Sequence, residues 1–393
     1  MAERQRILTI NQIAKIGLDR FPADRYEVGP KVDAPDAILV RSQDLHAMAF
    51  GPGLKAIGRA GAGTNNIPVK ALSGRGVPVF NAPGANANAV KELVIASMLL
   101  AARNLVPAIR FVSGLQGTDD ELASRVEAGK KQFAGVELPG RTLGVIGLGK
   151  IGSLVADSAI KLGMNVLGYD PDITVDAAWS LPAQVRRASS IEDVLRSADF
   201  ITVHVPLTEG TRNLISVERL PQLRPGAVIL NFSREGIVDP AAVVAGVASG
   251  QVGWYISDFP ASQLMDCERA VFLPHLGAST AEAEDNCAVM VAEQVRDYLD
   301  CGDIRNAVNF PSVAMPRESP YRVGIANANV PNMLGQISTT MAGAGLNIHN
   351  MLNKSRGEMA YTLVDVDSPV PAGVVNSLAA IRGVLAVRYL PAS

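Results

Sequence analysis

Gly147-Leu148-Gly149-Lys150-Ile151-Gly152 is a G-x-G-x-x-G run between an apolar stretch, Thr142 to Ile146, and a helical pattern, Lys150 to Leu162. Each glycine has a task in that setting. The first permits a tight turn, the second lets a pyrophosphate approach the backbone, and the third packs helix on strand. The free N–H groups and positive dipole end of the helix then face the phosphates. A dinucleotide site of this kind needs an acid at the end of the second strand, about 20 residues on. Asp170 stands there, closing the stretch Asn165 to Tyr169. A carboxylate accepts hydrogen bonds from the ribose hydroxyls and repels a 2′-phosphate, so the expected cofactor is NAD in preference to NADP. Three further segments carry polar groups: Asn231-Phe232-Ser233-Arg234-Glu235-Gly236, Ser257-Asp258-Phe259-Pro260 and Pro274-His275-Leu276-Gly277-Ala278-Ser279-Thr280. Each begins where an apolar run ends, at the C-terminal end of a predicted strand, which is where open α/β sheets bind ligands.

Short apolar runs alternate with helical patterns through the middle of the chain, as in βαβ units on a parallel sheet. Predicted strands are Thr142 to Ile146, Asn165 to Tyr169, Phe200 to Val205, Ala227 to Phe232, Gly253 to Asp258 and Ala270 to Leu273. The first hundred residues alternate similarly, with strands at Ala37 to Val40, Ala56 to Ala60 and Val77 to Phe80, but carry no phosphate fingerprint. Two long apolar-periodic helices, about Ala89 to Arg103 and Ala281 to Leu299, flank the middle part. The simplest architecture is α/β, with two Rossmann-like doubly wound domains and a cleft between them. The chain leaves the first domain, builds the second and returns, and both crossings fall in helices suited to hinge closure. Pro311, Pro316 and Pro320 punctuate a linker, after which strand and helix patterns follow in ferredoxin-like βαββαβ order. The expected domains are 1–90 with 285–315, then 91–284, then 319–393.

At 393 residues and 48% hydrophobic, the chain can bury cores large enough to need no disulfide or metal staple. Its formal net charge of -2 argues against nucleic acid or an anionic membrane as partner. Three cysteines without a C-x-x-C pair suggest a reduced, cytoplasmic setting. The four histidines show no metal-ligand spacing, so no metal is expected. No leader-like apolar segment follows Met1, and no uncharged apolar run reaches the roughly 18 residues of a membrane span.

The three strand-end segments, in this order, resemble the D-2-hydroxyacid dehydrogenase family. Asn81-Ala82-Pro83-Gly84-Ala85-Asn86-Ala87-Asn88-Ala89-Val90-Lys91-Glu92-Leu93-Val94 and Arg59-Ala60-Gly61-Ala62-Gly63-Thr64-Asn65-Asn66-Ile67 are similar to its phosphoglycerate dehydrogenase branch. The resemblance covers nearly the whole chain beyond about residue 35. It implies NAD-dependent oxidation of 3-phospho-D-glycerate, the first step of serine biosynthesis. The alternatives are a hydroxypyruvate or glyoxylate reductase and a non-catalytic NAD-binding regulator. The family assigns His275 as acid/base, a task suited to an imidazole near neutral pH, and Arg234 as a bidentate clamp on the substrate carboxylate. It places Lys150 and Ile151 on the pyrophosphate turn. Val205, Phe232, Ser233, Asp258, Gly277 and Ala278 border the nicotinamide half, with Asp258 bonding its carboxamide. His204 is implied to be structural or cofactor-adjacent. Arg41, Arg59, Gly61 and Asn86 fall where the family gathers substrate, and arginine suits a phosphate.

The sequence departs from the family at one catalytic position. A Glu normally pairs with the histidine five residues after the Asp of Asp258-Phe259-Pro260, and Gln263 stands there. The C-terminal part resembles an ACT domain at Asn329-Val330-Pro331-Asn332-Met333-Leu334-Gly335 and Gly345-Leu346-Asn347-Ile348. That resemblance implies an allosteric amino-acid effector such as L-serine, held by Asn327, Asn329 and Asn347, and a homodimer or homotetramer. A His is usual in place of Asn327 and a Gly in place of Asn332.

Overall fold

The structure, a computed structural model, describes residues 4–391. Met1 to Glu3, in the stretch read as lacking a leader, and Ala392 and Ser393, the end of the expected C-terminal domain, lie outside the described residues. The contacts of the chain divide it into two units, 1–86 with 281–393, and 87–280.

The first unit opens with β1 (Gln5–Ile10), α1 (Lys15–Leu18), β2 (Tyr26–Gly29), β3 (Ala37–Val40), β4 (Ala56–Arg59), α2 (Val69–Ser73) and β5 (Val79–Phe80). All five strands are parallel, in the order β2-β1-β3-β4-β5. The sequence pattern does not reveal β1 or β2. Both are amphipathic or edge strands whose polar residues interrupt the apolar run, whereas β3 is buried throughout and reads plainly.

The second unit begins with α3 (Ala87–Ala102), α4 (Leu105–Ser113) and α5 (Asp119–Gly129). It continues through β6 (Thr142–Ile146), α6 (Lys150–Lys161), β7 (Asn165–Tyr169), α7 (Val175–Trp179), β8 (Arg186–Arg187) and α8 (Ile191–Ser197). It closes with β9 (Phe200–Val203), β10 (Ala227–Asn231), α9 (Pro240–Ser249), β11 (Val252–Ser257) and β12 (Ala270–Phe272). The sheet is parallel, in the order β12-β11-β10-β9-β6-β7-β8. The strand order reverses between β6 and β9, the topological switch point at which such sheets take ligands. Strands β9 and β10 are buried along their full length between two apolar cores, one on each face. Helix α5 has a capping box in which Thr118 accepts from the Glu121 N–H and Glu121 accepts from the Thr118 N–H.

The chain re-enters the first unit with α10 (Ala281–Cys301) and ends in β13 (Tyr321–Ala328), α11 (Met333–Gly343), β14 (Ile348–Arg356), β15 (Met359–Val366), α12 (Ala372–Ala379) and β16 (Val384–Pro391). These four strands form an antiparallel sheet, β14-β15-β13-β16. One face packs on α11 and α12 through Val323, Ile325, Ile337 and Leu378. The other face, with Ala326, Tyr361 and Leu363, joins the core that α10 makes with β1, β3 and β4. The expected third domain therefore shares a core with 1–86 and α10 and falls in the same contact unit. The chain-level divisions lie a few residues earlier than expected, because helices α3 and α10 each belong whole to one unit.

Polar groups fix this seat. Buried Arg322 pairs with buried Asp365 at 2.6 Å and donates to the Cys301 carbonyl at 3.2 Å. Arg388 donates to the carbonyls of Tyr298 (2.9 Å) and Leu299 (2.8 Å), and the Tyr361 hydroxyl donates to that of Gly302 (2.9 Å). The last carbonyls of a helix have no intrahelical partner, and the C-terminal sheet supplies those of α10. Among the described residues no single helix is long and apolar enough to cross a membrane; only α3 and α4 together, bent by 67°, meet the length and composition.

Candidate nucleotide and acid–base site

The turn after β6 fits a dinucleotide. Gly147 has a φ of 92°, and a Cβ there would meet the His204 carbonyl at 2.5 Å. A Cβ on Gly152 would meet the Gly147 oxygen at 2.0 Å, so the third glycine lets α6 pack against the turn. Nothing lies within 4 Å of the Cβ position of Gly149, so its backbone is open to a ligand. Gly149 is also the N-cap of α6 and offers no side-chain cap, which leaves the first N–H groups of the helix for an anion. Asp170 accepts from the Leu148 N–H at 2.8 Å and from the Asp172 N–H at 3.0 Å. The carboxylate thus closes the turn. Lys150 is exposed and Ile151 half-buried at the start of α6.

The loops after β9, β10, β11 and β12 leave the same edge of the sheet, because all four strands are parallel. The Ser233 hydroxyl donates to the Val205 carbonyl at 2.6 Å, joining two of these loops. Phe232 is buried beneath them. Arg234 is exposed, with its guanidinium on the Ser233 carbonyl at 2.6 Å. His275 is exposed in the left-handed region, at φ 54°, and its ring meets Phe259 edge to face at 5.3 Å. Asp258 is buried and accepts from the N–H groups of Leu276 (3.2 Å) and Gly277 (3.1 Å). Burial pushes the Asp258 carboxyl up from its ordinary range, against the opposing pull of those two N–H groups and of His275. Ala278 follows, half-buried. Gln263 is exposed in the 3-10 turn Ser262–Leu264. His204 has its Nε2 2.9 Å from the Thr202 hydroxyl, while its buried Nδ1 meets no partner among the described residues. Burial lowers the His204 pKa to about 4.

In the first unit, Arg59 lies over Gly61, where a Cβ would meet its Nη1 at 1.8 Å, and its Nε donates to the Arg41 carbonyl at 3.0 Å. The Arg41 guanidinium pairs with Glu284 at 2.6 Å, a partner nothing in the sequence pattern suggests, since the two are far apart in the chain. Asn86 has a buried Oδ1 without a partner among the described residues. In the C-terminal sheet Asn327 is buried. Its Nδ2 donates to the Ala328 carbonyl at 2.7 Å, and its Oδ1 is unpartnered among the described residues. The Asn329 Nδ2 donates to the Gly357 carbonyl at 3.1 Å, and the Asn347 N–H donates to Asp367 at 3.3 Å.

The sequence pattern places Asn231 at the head of a strand-end segment but gives it no role. It is 1% exposed, its Oδ1 accepts from the Ser233 N–H and its Nδ2 donates to the Arg234 carbonyl. An asparagine ending an otherwise apolar strand was the available signal.

Residues 95–277 match the D-isomer specific 2-hydroxyacid dehydrogenases, NAD binding domain. The chain is 37% identical to a D-3-phosphoglycerate dehydrogenase of Synechocystis sp., over 80% of this chain and 58% of that protein. It is 32% identical to one from Haemophilus influenzae, over 86% of this chain and 82% of the other. The chain thus spans less than two thirds of the Synechocystis relative. The NAD+-bound 3-phosphoglycerate dehydrogenase of Entamoeba histolytica superposes with a TM-score of 0.61 at 26% identity, covering 78% of this chain and 99% of that one.

Proposed function

Since the chain belongs to the D-isomer specific 2-hydroxyacid dehydrogenase family, we propose that it oxidises 3-phospho-D-glycerate to 3-phosphohydroxypyruvate with NAD, as the first step of serine biosynthesis. One observation carries the reading. Strands β6, β10 and β12 of a single parallel sheet lead into the nucleotide turn, Arg234 and His275 at the same edge.

Gly147, Gly149, Lys150, Ile151 and Gly152 hold the pyrophosphate, and Asp170 takes the ribose. Val205, Phe232, Ser233, Asp258, Gly277 and Ala278 border the nicotinamide half. When bound, NAD supplies the hydride acceptor. Arg234 donates two parallel hydrogen bonds to the substrate carboxylate and fixes its orientation. The His275 imidazole takes the hydroxyl proton during oxidation and returns it in reduction. In the first unit, Arg59, Arg41, Gly61 and Asn86 are the residues that take the substrate phosphate, with Arg59 seated on Gly61. The Arg41–Glu284 pair reduces the positive charge available there and favours a second reading, a hydroxypyruvate or glyoxylate reductase.

The C-terminal βαββαβ unit acts as an ACT regulatory domain for an amino acid such as L-serine. The unpartnered Oδ1 of buried Asn327 supports this, as does the uncapped N-terminus of α11, where Asn332 sits at φ 61°. The protein works in the cytoplasm, consistent with three free cysteines, as a homodimer or homotetramer.

The test is NADH absorbance with 3-phosphoglycerate, phosphohydroxypyruvate and glyoxylate, in parallel with NADPH. His275→Ala and Arg234→Ala should each lose about 10²–10⁴-fold in turnover while still binding NADH. Near-normal turnover in His275→Ala removes the chemistry, and a preference for glyoxylate selects the second reading.

A further inference from the structure

Asp258 and Asn231 are buried polar residues at the ends of neighbouring strands, and each is spent on a loop carrying a proposed reacting side chain. His275 holds a left-handed backbone that a residue with a Cβ rarely adopts. That conformation turns the next two N–H groups, of Leu276 and Gly277, to one side, as in backbone nests that bind anions. The Asp258 carboxylate fills the nest, one oxygen to each N–H. From the other side, Asn231 holds the Arg234 carbonyl through Nδ2 at 3.0 Å and the Ser233 N–H through Oδ1 at 3.1 Å. The two are joined directly. The Asn231 carbonyl accepts from the Asp258 N–H at 3.3 Å and from the Ser257 hydroxyl at 3.0 Å, and that hydroxyl accepts from the Phe259 N–H at 3.0 Å. Phe259 in turn meets the His275 ring.

We propose that Asn231 and Asp258 are positioning residues, a single buried hydrogen-bonded clamp that sets the Arg234 and His275 loops in register with each other. The inference rests on the dehydrogenase reading above. It gives Asp258 a task beyond bordering the nicotinamide: its charge holds His275 in the conformation from which the imidazole is presented. Replacing one carboxylate oxygen by an amide NH2 leaves one of the two N–H groups without an acceptor and lets the loop relax. A misplacement of about 1 Å in a catalytic group can cost on the order of a hundredfold in rate.

The experiment is a double-mutant cycle on the full chain, with Asp258→Asn, His275→Ala and the pair. Three measurements are made: turnover in the reduction direction, NADH affinity by fluorescence titration, and the pH titration of the His275 ring protons by NMR without cofactor. Asp258→Asn should lower turnover roughly ten- to a hundredfold and displace the His275 ring signals. In the His275→Ala background it should change turnover by no more than about twofold, the margin within which independent effects are told from coupled ones. Equal losses in both backgrounds, or unmoved ring signals with weakened NADH binding, would assign Asp258 to the cofactor alone and overturn the proposal. Near-normal turnover in His275→Ala by itself would instead remove the dehydrogenase reading. If Asp258→Asn does not melt cooperatively, Asn231→Ala carries the test from the other side. It should raise KM for the 2-hydroxy acid more than for NAD and add nothing to Arg234→Ala; additivity with Arg234→Ala would overturn the clamp.

Discussion

His204 and Gln263 mark the two ways in which a single side chain can depart from expectation. His204 was legible as a strand-end residue beside the cofactor turn, but not as a half-buried residue with an enclosed ring nitrogen, because that depends on how β9 is flanked by β6 and β10. Its pKa in the fold is about 4, below the ordinary value near 6.5 of an unfolded chain. Between those values the unfolded state binds more protons than the native one, so stability is full above about pH 6.5 and declines as pH falls toward 4. The shift corresponds to about 3 kcal/mol at most. His204→Gln should flatten the pH dependence of urea unfolding across that window; an unchanged slope would show that the imidazole is not the source. Gln263 is a departure visible in sequence, and its exposed 3-10 turn leaves room for an acid. A carboxylate near an imidazole favours its charged form by about a pH unit or more, and reduction needs the protonated histidine. Gln263→Glu should therefore carry reduction to higher pH. Superimposable pH–rate profiles for the two proteins would mean that this turn does not face His275.

The decisive element is α10, whose far end the C-terminal sheet caps. Arg322 and Asp365 are both fully buried, and Arg322 also donates to the carbonyls of Cys301 and Pro316. Removing one partner of such a pair leaves a buried charge without compensation, at a cost of about 3–5 kcal/mol. Arg322→Met should lose stability on that scale, and Arg322→Met with Asp365→Leu should recover part of it. A double variant as unstable as the single one would show that the carbonyl contacts, not the ion pair, hold the seat. Elements with unbroken apolar runs were legible almost to the residue: β3, β6 and β7 coincide with their predicted spans. Strand β1 was hidden by the polar residues that interrupt its apolar run, and β2 by its place on the sheet edge. Helices α4 and α5 were hidden for the opposite reason, since neither buries a residue and so neither carries a core-facing stripe to read. The three glycines of the nucleotide turn were legible down to their separate tasks. The Arg41–Glu284 and Arg322–Asp365 pairs were not, because ion pairing across such separations is set by tertiary packing.

At the scale of the whole molecule, α4 is the element that the chain alone leaves unexplained. Leu105, Ile109 and Val112 recur at helical spacing on one face and are 39%, 61% and 53% exposed. The helix has no buried residue, and it follows α3 through Asn104 at φ 48° after a 67° bend. An apolar stripe of this kind, largely left in solvent, adds little to the stability of a monomer and is suited to burial against another surface. Under the proposed homo-oligomer that surface belongs to a second copy of the chain. Ile109→Glu with Val112→Glu should then shift sedimentation velocity from oligomer toward monomer at micromolar concentration. Two buried acids facing an apolar partner desolvate without compensation, so the loss of affinity should be large. The second unit should keep its fold, because both side chains already face solvent in the isolated chain, and NADH binding is the control for that. A wild-type protein that sediments as a monomer across the accessible concentrations would end the oligomer proposal. A variant that stays oligomeric with its fold intact would move the interface away from α4.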